Sequence, residues 1–83
     1  MNDSFIHSRV AQLNQRLASL TPSIELARQS VQRLENEQVP AGAVAGARAA
    51  RLSAARAMVA TLEERARQVR IAIKALQAEL VAE

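Results

Sequence analysis

The sequence predicts an all-α protein: an antiparallel two-helix coiled-coil hairpin that self-association or a partner completes into a helical bundle. Three observations lead to this fold class. Alanine, leucine, arginine, glutamate and glutamine dominate the composition, which favours long helices. Apolar residues recur at heptad spacing in two stretches of similar length. A segment containing proline and glycine separates these stretches.

The composition also restricts the class of protein. With 83 residues the chain forms one domain, residues 1–83, near the size at which a single core gives little stability. It contains one aromatic residue and no cysteine, which disfavours strands and rules out disulfides and thiolate metal sites. Because the N-terminus does not resemble a signal peptide and no apolar run reaches membrane-spanning length, we expect a cytoplasmic protein without membrane contact.

The first helix is predicted over about residues 4–38. Its apolar residues alternate spacings of four and three positions, which forms one heptad seam. Thr21 and Pro22 resemble a helix start, but the spacing continues through them and Pro22 faces away from the seam. We therefore expect a continuous helix kinked near Pro22 rather than a break. The seam consists of Ile6, Val10, Leu13, Leu17, Leu20, Ile24, Ala27, Val31 and Leu34.

A turn is predicted at about residues 39–43, and the second helix at about residues 43–82. Val39 precedes Pro40 and is therefore disfavoured in helix, and Gly42 can adopt the left-handed conformation that ends a helix. The heptad spacing resumes in the second stretch with Leu52, Ala55, Val59, Leu62, Ala66, Val69, Ile73, Leu76 and Leu80.

The two seams match in length when they are laid antiparallel. Ile6 then faces Leu80, and Leu34 faces Leu52. Every layer that contains an alanine pairs it with a larger residue, as even packing requires.

The charges beside the seams are predicted to support this register at both ends. Arg9 is expected near Glu79, and Glu37 near Arg51. The same register brings Arg28 near Arg56, which runs against the pattern unless one of them reaches solvent or another partner.

The sequence predicts no enzyme. His7 is the single histidine, and Gln77 is its nearest expected neighbour, whereas a catalytic or metal role would need converging carboxylates or further histidines. Glu63 and Glu64 are adjacent, so they point to different sides of a helix and do not form a catalytic carboxylate pair. We expect no catalytic, cofactor-binding or metal site, and no small-molecule substrate.

The outer faces of the two helices differ in polarity. The back of the first helix is predominantly polar, whereas small and apolar residues recur along the back of the second. Small residues let a neighbouring helix approach closely, so we expect this face to bind a protein partner or a second copy. Alanine is also a good helix former, so plain surface alanines are the alternative. The predicted partner-binding residues are Ala47, Ala50, Ala54, Ala57, Met58, Ile71, Ala72, Ala75 and Ala78.

The basic balance of the chain suggests a second function. The formal net charge is +3, and Arg65, Arg67, Arg70 and Lys74 form the candidate site for nucleic acid. However, no aromatic residue lies nearby for base stacking, and several arginines flank the seam, where their stems cover it. We therefore predict a non-enzymatic protein–protein interaction module, such as an adaptor, a chaperone-like subunit or a small inhibitor, and keep a nucleic-acid-binding hairpin as the alternative.

Overall fold

The computed structural model describes residues 3–37 and 45–82, and these form two long helices. Helix α1 spans Asp3–Asn36, and helix α2 spans Ala45–Ala82. The two helices pack against each other and run antiparallel, because the start of α1 contacts the end of α2. The predicted all-α hairpin is confirmed. The predicted turn at residues 39–43 lies outside the described residues.

The hairpin is a rod. It measures 66 × 16 × 13 Å, and its radius of gyration is 19.0 Å, whereas a compact domain of this length has a radius of about 12 Å. Its accessible surface is 6073 Å², whereas a compact monomer of this mass exposes about 4,900 Å². The excess surface arises because each helix has only one neighbour.

The core is a thin strip between the helices. Each of the nine predicted seam residues in α1, and each of the nine in α2, is buried or half-buried. This observation confirms both seams. The most deeply buried side chains are Ile6, Leu13, Ile24, Ala66, Val69 and Ile73.

Contacts in the strip agree with the predicted register. Leu13 of α1 forms one buried cluster with Val69 and Ile73 of α2. Leu17, which the register places opposite Val69, packs against this cluster, and so does Leu76. The same antiparallel alignment therefore brings together residues that are far apart in the chain.

Helix α1 continues through Pro22. Pro22 is exposed, so its ring does not disturb the packed strip. Thr21 Oγ1 donates a hydrogen bond to the carbonyl oxygen of Leu17 at 3.1 Å, and Ser23 Oγ donates to that of Ser19 at 3.4 Å. Such side-chain bonds to a carbonyl one turn earlier are compatible with helix and often accompany bending. The prediction of a continuous helix is confirmed, and the kink stays a prediction.

Candidate protein interface

The α2 back face is the set of nine predicted partner-binding residues, and all of them lie within the described helix. Eight of them are exposed. Met58 is 56 % exposed and Ile71 is 48 % exposed. These are large apolar side chains that gain from leaving water, so the face is more than a row of alanines.

Helical geometry explains why these residues share one side of α2. Seven of them recur at alternating spacings of three and four positions within two runs: Ala47, Ala50, Ala54 and Ala57, then Ile71, Ala75 and Ala78. At about 100° per residue, these seven lie on the side opposite the seam, and Met58 and Ala72 lie between them and the seam. α2 therefore has apolar residues on two opposite sides, of which α1 covers one.

Ala72 differs from the other members of the face. It is half-buried and packs against the cluster of Leu13, Val69 and Ile73. It lies where the covered and uncovered sides of α2 meet, because its heptad position is next to the seam. Ala72 therefore borders the α2 back face, and Ile71 lies nearer its middle.

A polar network crosses the middle of the face. Arg67 donates two hydrogen bonds to the Glu64 carboxylate, 2.8 Å from Nε to Oε2 and 2.7 Å from Nη2 to Oε1. Gln68 Nε2 donates a third, at 2.9 Å, to Glu64 Oε1. The bonds from Arg67, followed by that from Gln68, lower the pKa of the Glu64 carboxyl from 4.5 to about 2. The same pairing raises the pKa of Arg67. Glu64 is therefore ionised at neutral pH and is neutralised within its own helix.

The back of α1 is different in character. The Ser19 hydroxyl there donates a hydrogen bond to the carbonyl oxygen of Gln15 on its own helix at 3.1 Å. Leu26 is 64 % exposed but stands among polar neighbours. Phe5 is also exposed, near the start of the helix, and the sequence provided no reason to assign it a role.

The four candidate nucleic-acid-binding residues do not form one patch. Arg65, Arg67, Arg70 and Lys74 are all exposed. Arg67, Arg70 and Lys74 lie on one side of α2, whereas the position of Arg65 places it on the other side. Arg67 is already occupied by Glu64 at 2.7 Å. The four basic residues therefore lie on two sides of α2, and the charge of Arg67 is balanced by Glu64.

Ion pairs between the helices resolve the expected clash of Arg28 with Arg56. Arg28 Nη2 lies 3.5 Å from Glu63 Oε1, and Arg56 Nη2 lies 3.1 Å from Glu35 Oε1. Each arginine reaches a glutamate of the opposite helix, so the two like charges do not face each other unpaired. All four side chains are substantially exposed, so each pair contributes about 0.2 to 1 kcal/mol.

The two ion pairs predicted at the ends of the hairpin do not form. Arg9 Nη1 donates instead to Gln12 Oε1 on its own helix at 3.2 Å. Within residues 3–37 and 45–82, neither Arg51 nor Glu79 takes part in an ion pair with Glu37, Arg9 or any other group. Two opposite charges at distant points of α2 thus have no ion-pair partner among the residues that the structure describes.

Arg48 is a structural residue that the sequence analysis did not identify. Its Nη2 donates to the carbonyl oxygens of Leu34 at 2.6 Å, Glu35 at 3.2 Å and Glu37 at 3.3 Å. The heptad spacing could have indicated this role, because Arg48 lies four residues before Leu52 and so continues the seam of α2 toward its start. An arginine at a seam position beside a helix end can reach the carbonyl groups that the helix leaves without donors.

The described part of the chain offers few other sites. Among these residues, no three His, Asp or Glu side chains are placed to hold a metal ion, and neither helix is long and apolar enough to cross a membrane. The grooves beside the helices are open; one of about 420 Å³ is lined by Arg28, Glu63, Glu64 and Arg70 among others.

Comparisons with known proteins identify no relative. No protein-family model, curated protein or solved structure matches the chain. Function is therefore inferred from the residues and geometry described above.

Proposed function

We propose that the protein is a non-enzymatic interaction module of the cytoplasm that binds a protein partner through the α2 back face. One observation carries this proposal: the side of α2 that α1 does not cover exposes Met58 and Ile71 among alanines. The corresponding side of α1 exposes mostly polar groups. A difference of this kind between two faces of one small rod is typical of an interaction surface.

The energetics of the rod support the same proposal. The buried core is a single narrow strip between the two helices, and the chain exposes more surface than a compact monomer of its size. Each 100 Å² of apolar surface removed from water contributes about 2.5 kcal/mol. A helix that packs on the α2 back face would therefore stabilise the hairpin as well as bind it, and alanines allow the close approach that such packing needs.

The test compares charges placed on the two faces. One variant carries Ala57→Glu and Ala75→Glu on α2, and the matched control carries Gln15→Glu and Gln29→Glu on α1. All four positions are exposed and helical, so circular dichroism should show the same helix content in both variants. Binding is then measured by titration against partner proteins isolated with the wild-type chain, and molecular mass is measured by light scattering.

We expect the α2 variant to lose association by tenfold or more, about 1.4 kcal/mol, because each charge would have to be desolvated in the contact. The α1 variant should retain association. Equal effects from both faces, or no effect from either, would reduce the α2 alanines to helix-forming surface residues and contradict the proposal.

Substitution of basic residues and the salt dependence of binding distinguish nucleic-acid binding from this function. Replacement of Arg70 and Lys74 by glutamine should leave protein association unchanged if the α2 back face is the site, because neither residue belongs to that face. A nucleic-acid binder would instead lose most of its affinity for a labelled duplex with these changes. Its affinity for the duplex would also fall steeply when the salt concentration rises from about 50 to about 200 mM.

A further inference from the structure

We propose that the occupant of the α2 back face is a second copy of this chain, packed with its α2 antiparallel to the first. The twofold axis passes at the level of Ala66. This inference rests on the proposed function and specifies its partner. The residues that carry it are Arg51 and Glu79, which have no ion-pair partner in the described chain, together with the spacing of the exposed face.

The exposed side of α2 contains a second heptad seam. Its members alternate spacings of three and four positions without interruption over most of the helix. Four of these positions near the centre hold Thr61, Glu64, Gln68 and Ile71, and alanine holds the rest of the described seam. The complete set with described side chains is Ala47, Ala50, Ala54, Ala57, Thr61, Glu64, Gln68, Ile71, Ala75 and Ala78.

A twofold axis at the level of Ala66 makes this seam complementary to itself. Ala57 then faces Ala75 of the second copy, and Ala54 faces its Ala78. A twofold contact repeats every pair, so residue i of one copy contacts j of the other and j contacts i. The larger Ile71 falls opposite Thr61. Small residues therefore oppose small ones over both outer parts of the contact, which allows the two helices to lie close together.

The residues that flank the second seam select this register. In an antiparallel contact, residues along one edge of the seam lie beside residues along the same edge of the other copy. This arrangement places Arg51 beside Glu79 of the second copy and Met58 beside its Ala72. The twofold axis forms each of these pairs twice. Two unpaired charges thereby gain opposite partners, and the exposed Met58 side chain gains apolar contact at the half-buried Ala72.

The neighbouring register is less complementary. A shift of one heptad, which brings Ala50 opposite Ala75, would place Arg51 beside Ala72 and Met58 beside Arg65. Glu79 would then lie past the first residue of the second copy's α2 and would have no opposite charge beside it. Compared with this shifted register, both the charge pairs and the contact of Met58 favour the axis at Ala66.

The charges near the axis are compatible with contact. Each copy brings Glu64 into the seam, but Arg67 and Gln68 of the same helix already bond its carboxylate. No unpaired carboxylate is therefore desolvated. Arg65 of the two copies approach each other at one edge of the contact, where their long side chains extend into solvent. Arg67 of the two copies approach at the other edge, and each is paired with Glu64 of its own helix.

The area is sufficient for a weak dimer. With the axis at Ala66, α2 of the two copies overlaps over residues 50–82, a length of about 50 Å at 1.5 Å per residue. A contact strip about 10 Å wide covers about 500 Å² on each copy, or about 1,000 Å² in total. That total is at the small end of specific interfaces, so we expect a dissociation constant in the micromolar range.

Disulfide trapping tests the arrangement directly, since the chain has no cysteine of its own. Chains with Ala57→Cys and with Ala75→Cys are mixed and oxidised mildly, and products are separated on a non-reducing gel. We expect efficient cross-linking of the mixture and little of either variant alone, because Ala57 faces Ala75 of the other copy, near the Cβ separation of about 4 Å that a disulfide needs, and neither residue faces itself. Self-cross-linking of either variant would show a parallel contact, and preferential trapping of Ala50→Cys with Ala75→Cys would show the shifted register. Either result would overturn the inference.

Charge reversal tests the flanking pair in the native chain. Sedimentation equilibrium from about 10 to about 200 µM should show a monomer–dimer equilibrium. Arg51→Glu or Glu79→Arg alone should weaken the dimer severalfold, and the two changes together should restore it. A wild-type chain that stays monomeric throughout, or a double variant that is no better than the singles, would overturn the inference.

The outcomes separate the inference from the function on which it depends. If the chain is monomeric but Ala57→Glu with Ala75→Glu still abolishes binding to a different protein, the second copy is excluded and the interaction module stands. If the chain is monomeric and neither face affects any binding, both proposals fail.

Discussion

Arg48 in α2 joins the two helices through the backbone of α1: its Nη2 lies 2.6 Å from the carbonyl oxygen of Leu34. The last carbonyl groups of a helix have no donor within the helix and lie at the negative end of its dipole. A guanidinium group donates hydrogen bonds to these carbonyl groups, and its positive charge interacts favourably with the negative end of the dipole. The end of α1 is thus completed by a residue of the second helix.

Replacement of Arg48 by alanine should lower the free energy of unfolding by about 1 to 2 kcal/mol, because charged hydrogen bonds to three carbonyl groups are lost. Urea denaturation followed by circular dichroism measures the change. Arg16→Ala is the matched control, since Arg16 is exposed on α1, and should change stability by less than about 0.5 kcal/mol. Similar losses from the two variants would contradict the capping role.

Two leucines of α1 should respond differently to the same substitution. Leu13 is 4 % exposed and belongs to the core cluster, whereas Leu26 is 64 % exposed. Leu13→Ala should cost about 2 to 4 kcal/mol because it leaves a cavity, and Leu26→Ala should cost less than about 0.5 kcal/mol. Thermal or urea unfolding gives both values. A larger loss at Leu26 would show that the seam had been assigned to the wrong side of α1.

The ion pair of Arg28 with Glu63 should contribute modestly and respond to salt. A double-mutant cycle with alanine at both positions should give a coupling free energy of about 0.2 to 1 kcal/mol, because both side chains are about half exposed. The coupling should shrink at about 1 M salt, where screening shortens the range of the attraction. A cycle of Arg16 with Glu63, which are not paired, should give no coupling. Equal coupling in the two cycles would contradict the pairing.

Glu64 should titrate at unusually low pH. Its folded pKa of about 2 lies below the ordinary value of 4.5, so its stabilising effect is complete above about pH 4.5 and is lost as pH falls through about 2. Carbon-detected NMR of the carboxyl group follows this titration. Arg67→Ala should move the pKa back toward 4.5, and Gln68→Ala should move it less, because Arg67 makes the larger contribution. An unchanged midpoint in Arg67→Ala would contradict the observed network.

The two helices and their buried strip were predictable because heptad spacing is a local property of the sequence. An apolar residue every three or four positions forces one side of each helix into contact with another apolar surface, whichever helix provides it. The seams are equal in length, and this equality leads to the antiparallel register that Leu13 and Ile73 show. Pro22 did not interrupt α1 because it lies on the exposed side.

Side-chain pairing was less predictable. The expected partners of Arg28 and Arg56 followed from heptad position alone, but each guanidinium reaches a glutamate of the other helix at a different height along the rod. Backbone position limits where a long side chain starts and leaves several partners within its reach. The prediction of Arg9 beside Glu79 was wrong for the same reason, since Arg9 bonds to Gln12.

The sequence by itself determined the helices, the seam that joins them and the apolar character of the opposite side of α2, since all three depend on spacing within one helix. Only the tertiary structure decided that Arg48 caps α1, that Ala72 is half-buried, and that Arg51 and Glu79 form no ion pair within residues 3–37 and 45–82. These features depend on which groups of two different helices come within a few ångströms of each other. That distance is set by packing of the whole hairpin, and no local pattern contains it.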